Sequence, residues 1–241
     1  MEDPTILGRI GTLEEEAARI LPKVQQAARR PLFVEFSGTP KAGKSTIINS
    51  LRLFLARNGF KAYVLSERAS TCPIRNKKHL FFNAWTACAT LTQMLDAGQP
   101  VKPGEPGGPR DDVVIMDRGL FDALTWMQWL ENRNEMTSED RATIENFLTL
   151  PHWREMIGLV LVMKVTPDVA LGREFADLLT RKPGSIMNPQ TVEEFNCALD
   201  QTLQRYGAQF SSPLIVDTTG QDPKDTGYEV VRLVLEKLDN S

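Results

Sequence analysis

Apolar residues in this chain fall into two alternating kinds of stretch, short near-continuous runs and longer segments with helical spacing. The short runs lie at 32–36, 62–65, 113–116, 159–165 and 214–216. Runs of this length, rich in Val, Ile and Leu, suit strands buried on both faces of a parallel sheet. Ahead of them, Thr12-x-x-Glu15 reads as a capping box, and Leu13, Ala17, Ile20, Leu21 and Val24 follow with helical spacing. That predicts a leading helix whose role is packing. Further helices are expected over about 44–57, 78–96, 121–131, 137–150, 168–180, 191–206 and 225–238. Asn58-Gly59 stops the first of these, Thr166-Pro167 opens the fifth, and Thr191-x-x-Glu194 reads as the cap of the sixth. Five strands alternating with helices give an α/β fold, a mostly parallel sheet wrapped on both faces. There is no internal repeat, and one domain over 1–241 is expected, with 30–241 as its core and 1–29 as the leading helix.

Between the first strand and the next helix stands Gly38-Thr39-Pro40-Lys41-Ala42-Gly43-Lys44-Ser45. It fits the phosphate-loop pattern G-x-x-x-x-G-K-[ST] at every fixed position, in the strand-then-helix context that makes such a motif informative. Its glycines let backbone N–H groups turn inward on a phosphate. Lys44 brings a point charge to the β- and γ-phosphates, the Ser45 hydroxyl can ligate Mg²⁺, and the helix starting here, with Thr46 in its first turn, adds its dipole. Ligands of such sheets sit outside the carboxyl ends of the strands. Glu67, Asp117 and Asp217 all follow strands, so they are expected to converge beside this loop.

Composition narrows the function classes. Net charge is −3 with both signs intermixed, which offers no nucleic-acid tail and no polybasic membrane patch. The three cysteines, Cys72, Cys88 and Cys197, are far apart and suggest neither a zinc site nor a disulfide framework. The acidic N-terminus has no apolar signal core and no run reaches transmembrane length, so a soluble, cytoplasmic protein is expected. Residues 98–109 concentrate glycine and proline and read as an exposed loop within the domain.

Asp117 ends the most apolar strand, in the Walker-B position, where a carboxylate can hold Mg²⁺. The following Arg118 stands where motor ATPases commonly place a water-activating glutamate, and a cation there suits an anionic substrate better. A GTPase switch of the form Asp-x-x-Gly would need glycine where Leu120 stands. Glu67, after the second strand, is placed to take a proton from an accepting hydroxyl; a surface glutamate is the alternative. Arg173, Arg181 and Lys182, after the fourth strand, could form a cationic lid over a transferring phosphoryl group, or simply pair with Glu174 and Asp177. Phe81, Phe82, Asn83 and Trp85 on the long third helix could stack on and hydrogen-bond a nucleobase, although core packing explains aromatics at helical spacing equally well. Trp126 and Trp129 carry the same ambiguity. His79 and His152 have no partners at ligand spacing.

Taken together, the phosphate loop, Val-Leu-Ser-Glu-Arg68 after the second strand, Asp117-Arg118-Gly119 after the third, the Arg-bearing lid and Val-Asp217-Thr218-Thr219 resemble the thymidylate kinase and deoxynucleoside kinase group of P-loop kinases over about 31–238. The resemblance implies the P-loop kinase fold, a five-stranded parallel sheet in the order 2-3-1-4-5 with a lid. It also implies ATP as donor with Mg²⁺, Glu67 as proton acceptor, Arg118 near substrate and phosphates, Arg173 as first lid arginine, and Asp217-Thr218 beside the donor base. The departures are Arg68, where thymidylate kinases carry proline, the long Gly/Pro loop, and a lid without a dense arginine cluster.

The expectation is therefore an ATP- and Mg²⁺-dependent kinase acting on a nucleoside, nucleotide or similar small acceptor. A homodimer is compatible with it, and a membrane partner is not expected. Two alternatives remain open at this level. One is a kinase whose acceptor is a modified base or an end of DNA or RNA, suggested by the basic run at 75–78 and opposed by the net charge. The other is an ATP-binding regulatory NTPase.

Overall fold

The computed structural model describes residues 4–26, 30–99, 111–177, 182, 184, 186–211 and 213–240. Its centre is a five-stranded, all-parallel sheet in the order β2-β3-β1-β4-β5. The strands are β1 Leu32–Gly38, β2 Ala62–Leu65, β3 Val113–Asp117, β4 Ile157–Lys164 and β5 Leu214–Asp217. Every residue of β1 is buried, as is nearly all of β3 and β4, because helices cover both faces. The expected sheet order is the one found.

The helices are α1 Pro4–Gln26, α2 Lys44–Arg57, α3 Leu80–Ala97, α4 Leu120–Asn132, α5 Ser138–Leu148, α6 Pro151–Arg154, α7 Pro167–Asp177, α8 Pro189–Tyr206 and α9 Pro223–Asp239. On one face α2 and α9 pack against the sheet and α1 packs on α9, in a core that includes Leu13, Ile20, Ile47, Leu51, Val230 and Val234. On the other, α3, α4 and α8 enclose Met94, Leu120, Phe121, Leu124 and Leu199.

Several predicted boundaries move. Thr12 does not cap α1: the helix runs through it, and its hydroxyl donates to the Gly8 carbonyl one turn back at 3.1 Å. Thr191 lies inside α8, whose cap is Asn188; the Asn188 side chain accepts from the Thr191 N–H at 2.9 Å, with Pro189 at the first helical position. The segment 137–150 ends at Leu148 and restarts at Pro151 as the short α6. The expected loop lies outside the described residues over 100–109, as do 178–181 at the expected end of α7. Among the described residues, no helix is long and apolar enough to cross a membrane.

Candidate functional site

The phosphate loop leaves β1 at Gly38, whose φ is 122°, and a Cβ there would fall 2.0 Å from the Met163 carbonyl oxygen on β4. Only glycine lets the neighbouring strand approach so closely. Lys41 and Gly43 also have positive φ, 60° and 86°, so the chain curls through Thr39, Pro40 and Ala42 before α2 begins at Lys44. Lys44 is buried, and its Nζ donates to the carbonyls of Gly38 at 2.9 Å and Thr39 at 2.8 Å. Burial, reinforced by the nearby Arg118 charge, lowers its pKa to about 7. Ser45 and Thr46 stand exposed in the first turn of α2.

The loop is braced from three sides. The Thr39 hydroxyl donates to Asn196 Oδ1 on α8 at 2.6 Å. Lys41 Nζ pairs with the buried Glu174 on α7 at 3.0 Å. The Thr218 hydroxyl, just past β5, donates to the Ala42 carbonyl at 3.1 Å. Arg173 joins these braces, donating to the Lys41 carbonyl at 3.1 Å and to Thr218 Oγ1 and O at 3.0 and 2.8 Å. Arg173 and Glu174 thus hold the phosphate loop and the turn after β5 in one network.

Beside the loop, β3 ends in Asp117, opposite Phe36 of β1. Burial raises the Asp117 pKa, with Arg118 and Lys44 acting in the opposite sense. Arg118 has a φ of 68°, unusual for a non-glycine residue, and its N–H donates to the Phe36 carbonyl at 3.0 Å. Its Nε lies 2.9 Å from Glu67 Oε1, and its Nη1 lies 3.0 and 2.9 Å from the two oxygens of Asp122. Burial opposes its charge, yet Asp122 and Glu67 outweigh that and hold its pKa above the usual arginine value. The Glu67 contact is an ion pair outside hydrogen-bond angles, so the buried Nε–H has no hydrogen-bond partner among the described residues.

Arg118 and Glu67 line an open cleft beside the phosphate loop. Phe82, Asn83, Thr86 and Thr90 of α3 line one side, Ala123 and Trp126 of α4 the other, and Arg68 and Lys77 also border it. Of the aromatic candidates, Phe82 reaches the cleft, with Asn83 beside it, whereas Trp85 is not among its lining residues. Phe81 is 65% exposed and Trp129 is fully buried. The Asn83 amide donates to the carbonyls of Lys77 and His79, so it also fixes the start of α3.

The three acidic groups expected to converge do so only in part. Glu67 and Asp117 share one side of β1. Asp217 ends β5, two strands away on the other side, and its exposed carboxylate accepts from the Thr219 N–H at 2.9 Å. Thr218, not Asp217, touches the phosphate loop. Arg181 lies outside the described residues.

Two further acidic residues had no assigned role in the sequence. Glu35, fully buried in β1, accepts from the N–H groups of Gly119, Phe121 and Asp122 at 3.0, 3.1 and 2.8 Å, anchoring the start of α4 beneath the site. Burial pushes its pKa up to about 7 against the effect of those three bonds. Asp122, one turn into α4, holds Arg118 and also accepts from the Ser37 hydroxyl and Gly38 N–H, both at 3.0 Å. Both were detectable: a lone carboxylate inside a run buried on both faces must have partners, and Asp122 sits at i+4 from Arg118.

The donor chemistry suits Mg²⁺. A hydroxyl at Ser45 and a carboxyl at Asp117 are the hard oxygen ligands this ion takes alongside phosphates and water. Among the described residues no cluster of three His, Cys, Asp or Glu side chains gathers to hold a metal.

Three structures of deoxyadenosine kinase from M. mycoides, with bound dATP, with dCTP, and with dCMP and a flexible dCDP, align with this chain at 18–19% identity. Each alignment covers 87% of this chain and the whole of the kinase, with TM-scores of 0.60–0.61. The chain has the P-loop nucleoside kinase fold. The family model of the methylmalonyl-CoA mutase-associated GTPase MeaB matches residues 8–71, from α1 to the turn after β2. That segment carries the phosphate loop and ends before Asp117 and Arg118. No curated protein matches the sequence. The fold and the phosphate loop together imply nucleotide binding.

Proposed function

We propose that the protein is a kinase that transfers the γ-phosphoryl group of ATP, with Mg²⁺, to a hydroxyl or phosphate of a nucleoside, nucleotide or related small acceptor. The observation that carries this reading is Arg118. It stands in the wall between phosphate loop and cleft, locked to Asp122, with a buried Nε–H directed beside Glu67 and unmatched by a hydrogen-bond acceptor. Its charge, paired with Glu67 and Asp122 at the lining of the cleft, is placed to meet an anionic group there.

In this reading the loop N–H groups and Lys44 hold the triphosphate. Ser45 and Asp117 would hold Mg²⁺, whose chemistry there is to neutralise charge on the phosphate oxygens. The cleft orients the acceptor between Phe82 and Trp126, Glu67 takes the proton of an attacking hydroxyl, and Arg118 stabilises charge on the transferring group. Arg173 acts chiefly by keeping Lys41 and Thr218 in place, and Arg181 stays a candidate for the lid. Thr218, and Asp217 more remotely, border the donor end. The mixed apolar and polar lining suits a nucleoside-sized acceptor, which the deoxyadenosine kinase likeness supports.

The match to the MeaB family favours a second reading, a P-loop GTPase. Leu120 at the place of the switch glycine, and a cation after Asp117, weigh against it. Incubation with γ-labelled ATP or GTP, Mg²⁺ and a panel of nucleosides and monophosphates tests the proposal. Labelled acceptor is expected; release of inorganic phosphate from GTP with no labelled acceptor would replace the kinase reading by the GTPase one.

A further inference from the structure

The phosphate loop and the acceptor cleft meet at one carboxylate. Asp122 is 1% exposed. Its Oδ1 accepts from the Ser37 hydroxyl, the Gly38 N–H and Arg118 Nη1, each at 3.0 Å. Its Oδ2 accepts from Arg118 Nη1 at 2.9 Å and from the Trp126 indole N–H at 3.0 Å. A single side chain therefore holds the first glycine of the loop, the arginine of the dividing wall and the tryptophan of the cleft.

Gly38 is held at both ends of its backbone. Its N–H rests on Asp122, while its carbonyl accepts from Lys44 Nζ at 2.9 Å and, at 3.4 Å, from Arg118 Nη1. A triphosphate in the loop draws the Lys44 ammonium toward its own oxygens and leaves the Gly38 carbonyl to Arg118. Arg118 and Gly38 share Asp122, so a shift of either one redistributes the bonds on that carboxylate and reaches Trp126. A second route runs in parallel through α8. Phe195 packs on Trp126 with ring centroids 4.5 Å apart, and the adjacent Asn196 takes the Thr39 hydroxyl of the loop.

We propose that Asp122 is a positioning residue that makes the Trp126 wall of the cleft respond to nucleotide at the phosphate loop. The proposal rests on the reading of this cleft as the acceptor half of a nucleotide-dependent enzyme, and it adds that donor and acceptor halves are coupled, chiefly through one carboxylate. A coupling of this kind works in both directions, so an acceptor packed on Trp126 changes nucleotide affinity by the same factor as nucleotide changes acceptor affinity.

The test follows tryptophan emission of the full chain as Mg²⁺ with AMP-PNP, or with GMP-PNP, is added, while calorimetry measures binding separately. Wild type is expected to show an emission change on binding. The change is expected to be lost in Trp126→Phe and diminished in Asp122→Asn, where the route through α8 remains, while calorimetry still reports bound nucleotide in both. An emission change that persists in Trp126→Phe, that is equal in Asp122→Asn and wild type, or that is missing from wild type despite binding, overturns the proposal. Trp126→Phe keeps the test decisive where Asp122→Asn does not fold. Failure of the kinase reading has a different signature, no labelled acceptor with the emission coupling intact. Absence of binding by either analogue overturns both.

Discussion

The Gly119 N–H donates to Glu35 Oε1 at 3.0 Å, which ties the start of α4 to the middle of β1 beneath the site. A Cβ at Gly119 would lie 2.5 Å from the Glu35 carboxylate. Gly119→Ala is therefore expected to push the two apart and cost about 1–3 kcal/mol, as overpacking of a tight core does. Urea unfolding measures the loss, and the neighbouring Arg118 should lose its fixed position with it.

Glu35 also sets a pH dependence. Its folded pKa is raised from 4.5 to about 7 by burial, so the folded state holds a proton that the unfolded state releases across this interval. Its contribution is complete below about pH 4.5 and declines by roughly 1.4 kcal/mol per pH unit as pH rises toward 7. Chemical denaturation of wild type and Glu35→Gln between pH 5 and 8 reads this slope. It is expected in wild type and not in the variant, which is itself less stable because an amide cannot accept all three N–H bonds.

Lys44 titrates in the opposite sense. Its pKa is lowered from 10.5 to about 7, and phosphate oxygens brought to Nζ restore the charged form. Nucleotide binding at pH 8 should therefore take up about one proton, declining below pH 7. Calorimetry in two buffers of different ionisation enthalpy measures this uptake. Equal heats in both buffers would show that Lys44 is already charged.

Arg173 makes three hydrogen bonds to Lys41 and Thr218. If bracing is its work, Arg173→Ala lowers stability by about 1–3 kcal/mol and raises the KM for nucleotide more than it lowers kcat. If it touches the transferring phosphoryl group, kcat falls instead with KM little changed. Steady-state kinetics alongside thermal unfolding separates the two.

The sequence made the strands, the phosphate loop and the placing of Glu67 and Asp117 on one side of that loop legible because each depends on local pattern or on strand ends. Asp217 misled because position after a strand says nothing about which strand it is, and β5 lies at the far edge of the sheet. A capping pattern also fits inside a helix: α1 already runs through Thr12, and in α8 a competing start lies upstream of Thr191 at Asn188-Pro189. Glu35 and Asp122 show in the sequence only as a lone carboxylate in an apolar run and a carboxylate one turn from Arg118; their partners, backbone N–H groups and side chains, come together only on tertiary folding. The braces on the phosphate loop from Glu174, Asn196 and Thr218 have the same origin.

The central claim is phosphoryl transfer to an acceptor placed in the cleft beside Glu67 and Arg118, and Glu67→Gln tests it most directly. With labelled ATP and the acceptor that wild type uses, transfer is expected to fall by about 10²–10⁴-fold, the range for removing a general base, while ATP binding is unchanged. Undiminished ATP turnover in Glu67→Gln would contradict the kinase account.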